Sequence, residues 1–126
     1  MSEPVWITRD IVVAVHAELV ARFGGLHGIR DEGLLDSALS RPQQAFHYGS
    51  PDLFSLAALY AEGIVKNHPF LDGNERTGFM AAYTFLAANG PRLQAPEEEA
   101  VLQTLALAAG ESTAADYAAW LGRSCG

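Results

Sequence analysis

An all-α fold of about six helices is what this sequence predicts, and three observations carry the prediction. Strand-like alternation of apolar and polar residues never lasts beyond a few positions. Apolar residues recur instead at helical spacing, as in Leu53, Leu56, Tyr60 and Ile64. Between such segments stand the punctuators of helices: Gly24-Gly25, Ser50-Pro51, Asn89-Gly90-Pro91 and Pro96. With 126 residues, 49% of them hydrophobic and 18% charged, the chain can bury a core as one domain over residues 1–126, a compact helical bundle with a buried central helix.

The elements follow in order. Thr8 can cap a first helix in which Val12, Val15, Leu19 and Phe23 share a face, ended by Gly24-Gly25. A short second helix starts near Asp31, itself a plausible cap, and Pro42 is expected to stop it. "QQAFHYGS" then looks turn-like, with aromatic tips. Ser50 and Pro51 supply a cap and a first helical residue for the stripe that runs toward Asn67. Residues 78–88, "GFMAAYTFLAA", carry no charge, which predicts the buried centre of the domain. Pro96 and three glutamates open a fifth helix, with acid where the dipole favours it. A last helix from about Thr113 brings Tyr117, Trp120 and Leu121 to the core.

Charge and cysteine content narrow the function. A net charge of −7 argues against a protein that coats nucleic acid, because phosphate backbones demand a basic face. The lone cysteine, Cys125, allows no intrachain disulfide. The N-terminus lacks the basic-then-apolar order of a signal peptide, and no apolar run is long enough to span a membrane. The expectation is a cytoplasmic protein without direct nucleic-acid or membrane partners.

One stretch concentrates chemistry: "HPFLDGNERTG", residues 68–78, between an amphipathic helix and the apolar one. The first turn of the apolar helix offers free backbone N–H groups and a dipole that favours anions. Gly73 lets backbone approach a ligand closely, Asn74 can donate through its amide, and Arg76 can grip a phosphate with a two-pronged fork. Asp72 is the hard oxygen ligand that Mg²⁺ prefers, and His68 can take a proton from a hydroxyl nucleophile. Together they form the parts of a phosphoryl-transfer site. A structural alternative stays open, since Asp72 and Glu75 also stand three apart as a capping box does. His16, His27 and His47 have no metal-ligand spacing, and His16 is expected to face solvent or a neighbouring element. Arg30 and Asp31 can shape their loop or reach the site; Lys66 is expected in solvent.

"HPFLDGNER" resembles the Fic/Doc family, and within it the death-on-curing (Doc) toxins of type II toxin–antitoxin pairs. "GGLHGIRDEGLLDSALSRP", "TGFMAAYTFLAANG" and "EEEAVLQTLALAAGE" extend the likeness over nearly the whole chain. The resemblance implies a Fic/Doc fold that uses ATP with Mg²⁺. It implies transfer of the terminal phosphate to a threonine or serine hydroxyl of a protein, a translation elongation factor in the Doc branch. On this chain His68 becomes the general base and Asp72 the metal ligand. Gly73, Asn74, Glu75 and Arg76 become the nucleotide-binding set, with Phe70 as a buried anchor. The implied partner is a cognate antitoxin whose disordered tail folds on the toxin, and Phe46, His47 and Tyr48 fall where relatives align the target peptide.

Two positions set the branch. Glu75 and Phe79 stand where AMP-transferring Fic enzymes carry glycine and a second arginine. Glu75 also departs from Doc toxins, which carry lysine there. Glu75 can point away to serve the helix start, recruit a further metal, or mark a disabled toxin. Transfer of AMP and a silent antitoxin-binding module are the alternatives to phosphoryl transfer.

Overall fold

The computed structural model describes residues 2–49 and 51–126. They form six helices: α1 (Arg9–Phe23), α2 (Glu32–Gly49), α3 (Leu53–Asn67), α4 (Asn74–Asn89), α5 (Glu97–Ala109) and α6 (Ala114–Arg123). Among the described residues there is no strand, only two isolated bridges, Ile29 with Phe70 and Leu93 with Cys125. The all-α expectation and the number of helices are met. No helix is long and apolar enough to cross a membrane.

Local signals account for most helix ends. Thr8 accepts from the Ile11 N–H, Asp31 from Leu34, Asp52 from Ser55 and Thr113 from Asp116, which returns the bond to complete a capping box. Gly24 and Gly110 terminate α1 and α5. The start of α3 differs from expectation: Asp52 is its cap and Pro51 precedes the helix, while Ser50 lies outside the described residues.

The core gathers around α3, which packs against α2, α4, α5 and α6. Leu56, Tyr60 and Ile64 are fully buried along the predicted stripe, joined by Ala57, Ala61 and Val65 on other faces. Small residues set the spacing. A Cβ on Gly63 would come within 3.0 Å of Ala38 on α2, and one on Gly78 within 2.7 Å of a Val65 methyl. The prediction that residues 78–88 are the enclosed centre is therefore corrected. In α4, Ala81, Ala82, Phe85 and Leu86 are buried, but Tyr83 on the other face is exposed.

Pro42 brings a second correction, since α2 runs through it to Gly49. An interior proline costs roughly 3 kcal/mol through a lost hydrogen bond and a ring clash. Burial outweighs it here, for Pro42 itself is buried and the next turn delivers Phe46 to the core. There Phe46 meets Trp6 edge-to-face at 5.7 Å, and Trp6 stacks on Phe85 at 5.9 Å. The expected aromatic turn is thus the end of a helix, with Tyr48 left 96% exposed.

The face of α1 is corrected as well. Val12, His16 and Val20 point inward, whereas Phe23 is 48% exposed. His16, expected to face solvent or a neighbouring element, does the second and is only 3% exposed.

Candidate active site at the start of helix α4

Residues 68–73 link the end of α3 to the start of α4, and a second loop clamps them. His68 closes α3 in the left-handed region (φ 50°, ψ 55°), the one non-glycine residue with positive φ among those described. Such a conformation costs about 1 kcal/mol or more unless neighbours enforce it. Arg30 does so: Nε donates to the His68 carbonyl at 2.7 Å and a terminal nitrogen to the Asn67 carbonyl at 2.9 Å. Its guanidinium thus serves the α3 C-terminus, and the question left open for Arg30 is decided as loop shaping. The backbone N–H groups of Arg30 and Asp31 both donate to the Pro69 carbonyl, and that of Leu71 to Gly28. Phe70, 1% exposed, anchors the loop as expected.

The imidazole of His68 is exposed and makes no hydrogen bond among the described residues, so it is open to a substrate hydroxyl. Asp72 lies four residues on. One of its carboxylate oxygens accepts from the Leu26 N–H at 2.8 Å, and its carbonyl meets Nε2 of His16 at 2.7 Å. Gly25 (φ 118°) passes so close that a Cβ there would sit 3.1 Å from that of Asp72. The second carboxylate oxygen stays available. No group of three or more His, Cys, Asp or Glu side chains among the described residues could hold a metal without help. One hard carboxylate suits Mg²⁺ brought in by a polyphosphate, which fills most of its coordination with phosphate oxygens and water.

The capping-box alternative fails. Gly73 (φ 76°) is the N-cap of α4, no side chain caps the helix, and Asp72 is turned to Leu26. Glu75 is consequently the second residue of the helix, not the third. The first backbone bond of α4 runs from the Thr77 N–H to the Gly73 carbonyl at 3.0 Å. The N–H groups of Asn74, Glu75 and Arg76 therefore remain for an anion.

Asn74 is placed otherwise than expected. It is 3% exposed, its amide oxygen accepts from the Phe70 N–H at 3.1 Å, and its amide nitrogen donates to the Phe70 carbonyl at 3.0 Å. It ties the loop to the helix start and offers a ligand its backbone. Arg76 is exposed, with its guanidinium 4.3 Å from the ring centre of Phe23.

Gly73, Glu75 and Arg76 also border a groove of about 730 Å³ between α1, α4 and α5, floored by Phe79, Met80 and Thr104. Tyr83, Val101 and Leu105 present apolar surface along it. Glu75 has no ion-pair partner among the described residues and lines this groove with Arg22 and Arg76. Sequence reasoning missed the groove and the contact of His16 with the Asp72 carbonyl, and it left loop shaping by Arg30 as one of two alternatives. The 12/16/20 spacing, which puts His16 in line with two valines, was the available signal for His16.

Fold and site define a helical protein with an anion-receptive helix start flanked by an exposed histidine, a carboxylate and an arginine. The chain matches the Fic/DOC family over residues 6–86 and belongs to it. It is 47% identical over 76 residues to the protein named Toxin Doc of Mycolicibacterium smegmatis, a match covering 58% of each chain. It is 33% identical over 121 residues to Protein kinase doc of Escherichia phage P1, covering 95% of each. Within the family, these relatives put it in the Doc branch.

Proposed function

We propose that this protein is a Doc-type toxin that moves the terminal phosphate of ATP onto a serine or threonine hydroxyl of a protein engaged in translation, an elongation factor foremost. The observation that carries this is the uncapped start of α4, whose free N–H groups share the first turn with Arg76, while Asp72 and His68 stand on the adjoining loop. The nucleotide's phosphates lie against the N–H groups of Asn74, Glu75 and Arg76, with Gly73 giving them close approach. Asp72 would hold Mg²⁺ through its free carboxylate oxygen, and the ion would supply neutralisation of phosphate charge. His68 accepts the proton of the substrate hydroxyl as its oxygen bonds to the terminal phosphorus, and the bond from that phosphorus to the ADP oxygen breaks. Arg76 and the helix start hold the charge that gathers on the phosphate oxygens. The Phe70 ring and the side-chain amide of Asn74 keep the loop in shape without touching the nucleotide, which Asn74 meets only through its backbone N–H. The partners are this target protein and a cognate antitoxin whose tail folds along the apolar groove, helix in groove. Cytoplasm, where translation runs, is the compartment, and residues 1–126 act as one domain.

Glu75 supports a second reading. A carboxylate in the first turn of α4, facing the groove, opposes a polyphosphate, as expected of a silent module that keeps only antitoxin binding. Incubation with an elongation-factor preparation and γ-labelled ATP separates the two. Label on the factor, lost in His68→Ala while nucleotide affinity holds, supports transfer; no label together with persistent antitoxin binding supports the silent module. Label that appears only from α-labelled ATP would replace phosphoryl by AMP transfer.

A further inference from the structure

His16 has no part in the proposed chemistry, yet its environment is more tightly specified than that of any other histidine here. It lies on the inward face of α1, 3% exposed. Its ring is parallel to that of Phe70, 3.9 Å between centres and 9° between planes. Nε2 sits 2.7 Å from the Asp72 carbonyl oxygen, which can only accept, so Nε2 carries the hydrogen. The same ring edge borders Gly73 at ordinary contact distance, a Cβ there standing 3.7 Å from Cδ2.

We propose that His16 is a positioning residue for Asp72: its Nε2–H fixes the Asp72 peptide, and through it the orientation of the carboxylate and the turn at Gly73. Two anchors then locate Asp72. The carbonyl is held from α1 by His16, and the carboxylate from the 24–28 loop by the Leu26 N–H. Phe70 supplies the third wall, because stacking on its ring leaves the imidazole little freedom to turn the donor away. Without that donor the Asp72 carbonyl would lose its one bond from a side chain, and the peptide could rotate with its carboxylate. A residue behind a metal ligand commonly changes metal affinity about 10–100-fold when removed. The consequence for Mg²⁺ rests on the proposed phosphoryl transfer, whereas the placement of Asp72 does not.

Two substitutions separate donor from ring. His16→Phe keeps a flat ring for Phe70 and removes the donor; His16→Gln keeps an N–H near the same place. The ligand-free readout is the Leu26 amide, 63% exposed as a residue and protected from exchange only through its bond to Asp72. NMR exchange rates and the Mg–ATP dissociation constant are measured on each folded variant. Expected for His16→Phe are faster Leu26 exchange and Mg–ATP affinity weakened about 10–100-fold, with His16→Gln close to the parent in both. Parent-like Leu26 exchange in folded His16→Phe would overturn the proposal, as would equal defects in both variants. If the parent itself binds no Mg–ATP, the phosphoryl-transfer reading fails, and Leu26 exchange still decides the role of His16.

Discussion

Glu75→Lys should pull nucleotide affinity and helix stability in opposite directions. With Gly73 as cap, residue 75 is in the first turn of α4, beside the N–H groups that would receive phosphate. Two unit charges about 5 Å apart interact by roughly 3 kcal/mol at an effective dielectric near 20, so inverting the sign spans roughly 6 kcal/mol. Solvent at this half-buried position reduces the effect; a third of it, about 2 kcal/mol, corresponds to roughly 30-fold in affinity. The helix dipole acts the other way, since exchanging an acid for a cation in the first turn costs about 0.3–1 kcal/mol of stability or somewhat more. The assay is calorimetric titration with Mg–ATP beside thermal unfolding of the ligand-free protein. Glu75→Gln should recover only about fivefold in affinity, because it removes repulsion without adding attraction. Unchanged affinity in Glu75→Lys, when Arg76→Ala still weakens binding, would refute the argument by showing that residue 75 is turned from the phosphates. Unchanged affinity in both variants would move the phosphates elsewhere.

Two further outcomes concern stability. Gly78→Ala puts a methyl 2.7 Å from a Val65 methyl carbon and 3.2 Å from the Ala61 carbonyl oxygen, at the α3–α4 contact. Despite alanine's better helix propensity it should destabilise by about 1–3 kcal/mol in urea unfolding, and a gain would mean that the helices separate easily. Burial pushes Tyr60 and Tyr117 up to about 12, the latter despite a 2.8 Å bond to the Thr104 hydroxyl that pulls the other way. A raised folded-state value favours the neutral phenol in the fold, so the contribution is complete below pH 10 and fades as pH rises toward 12. The loss should reach about 2–3 kcal/mol per tyrosine, and Tyr117→Phe should flatten that decline. Near neutral pH, Tyr117→Phe should cost about 1 kcal/mol, because it leaves the buried Thr104 hydroxyl alone. Tyr60→Phe should cost less than that, since the buried Tyr60 hydroxyl makes no hydrogen bond of good geometry and has only the Ile7 backbone near it as a weak partner.

Much of the fold was legible because helix ends are local. Thr8, Asp31 and Thr113 cap through atoms three residues away, and Gly24 stops α1 with backbone that only glycine adopts readily. That a helix begins within residues 68–78 was legible too, since the motif stands just before an apolar segment. Positions whose state depends on partners distant in sequence were not. Pro42 is tolerated because α2 packs on α3 and carries Phe46 to Trp6. His16 is buried because a loop 56 residues later presents a carbonyl to its ring.

Helix content, the order of elements and the chemical inventory of residues 68–78 follow from sequence alone, since propensity, capping and spacing act within one or two turns. The partners within that inventory were decided by tertiary structure. Asp72 and Glu75, three apart, were compatible with a capping box and with a ligand site. The fold chose by offering Asp72 the Leu26 N–H across 46 residues, which left the cap to Gly73 and turned Glu75 toward the groove. A short carboxylate side chain takes the donor within reach, and only the folded backbone determines which donors those are.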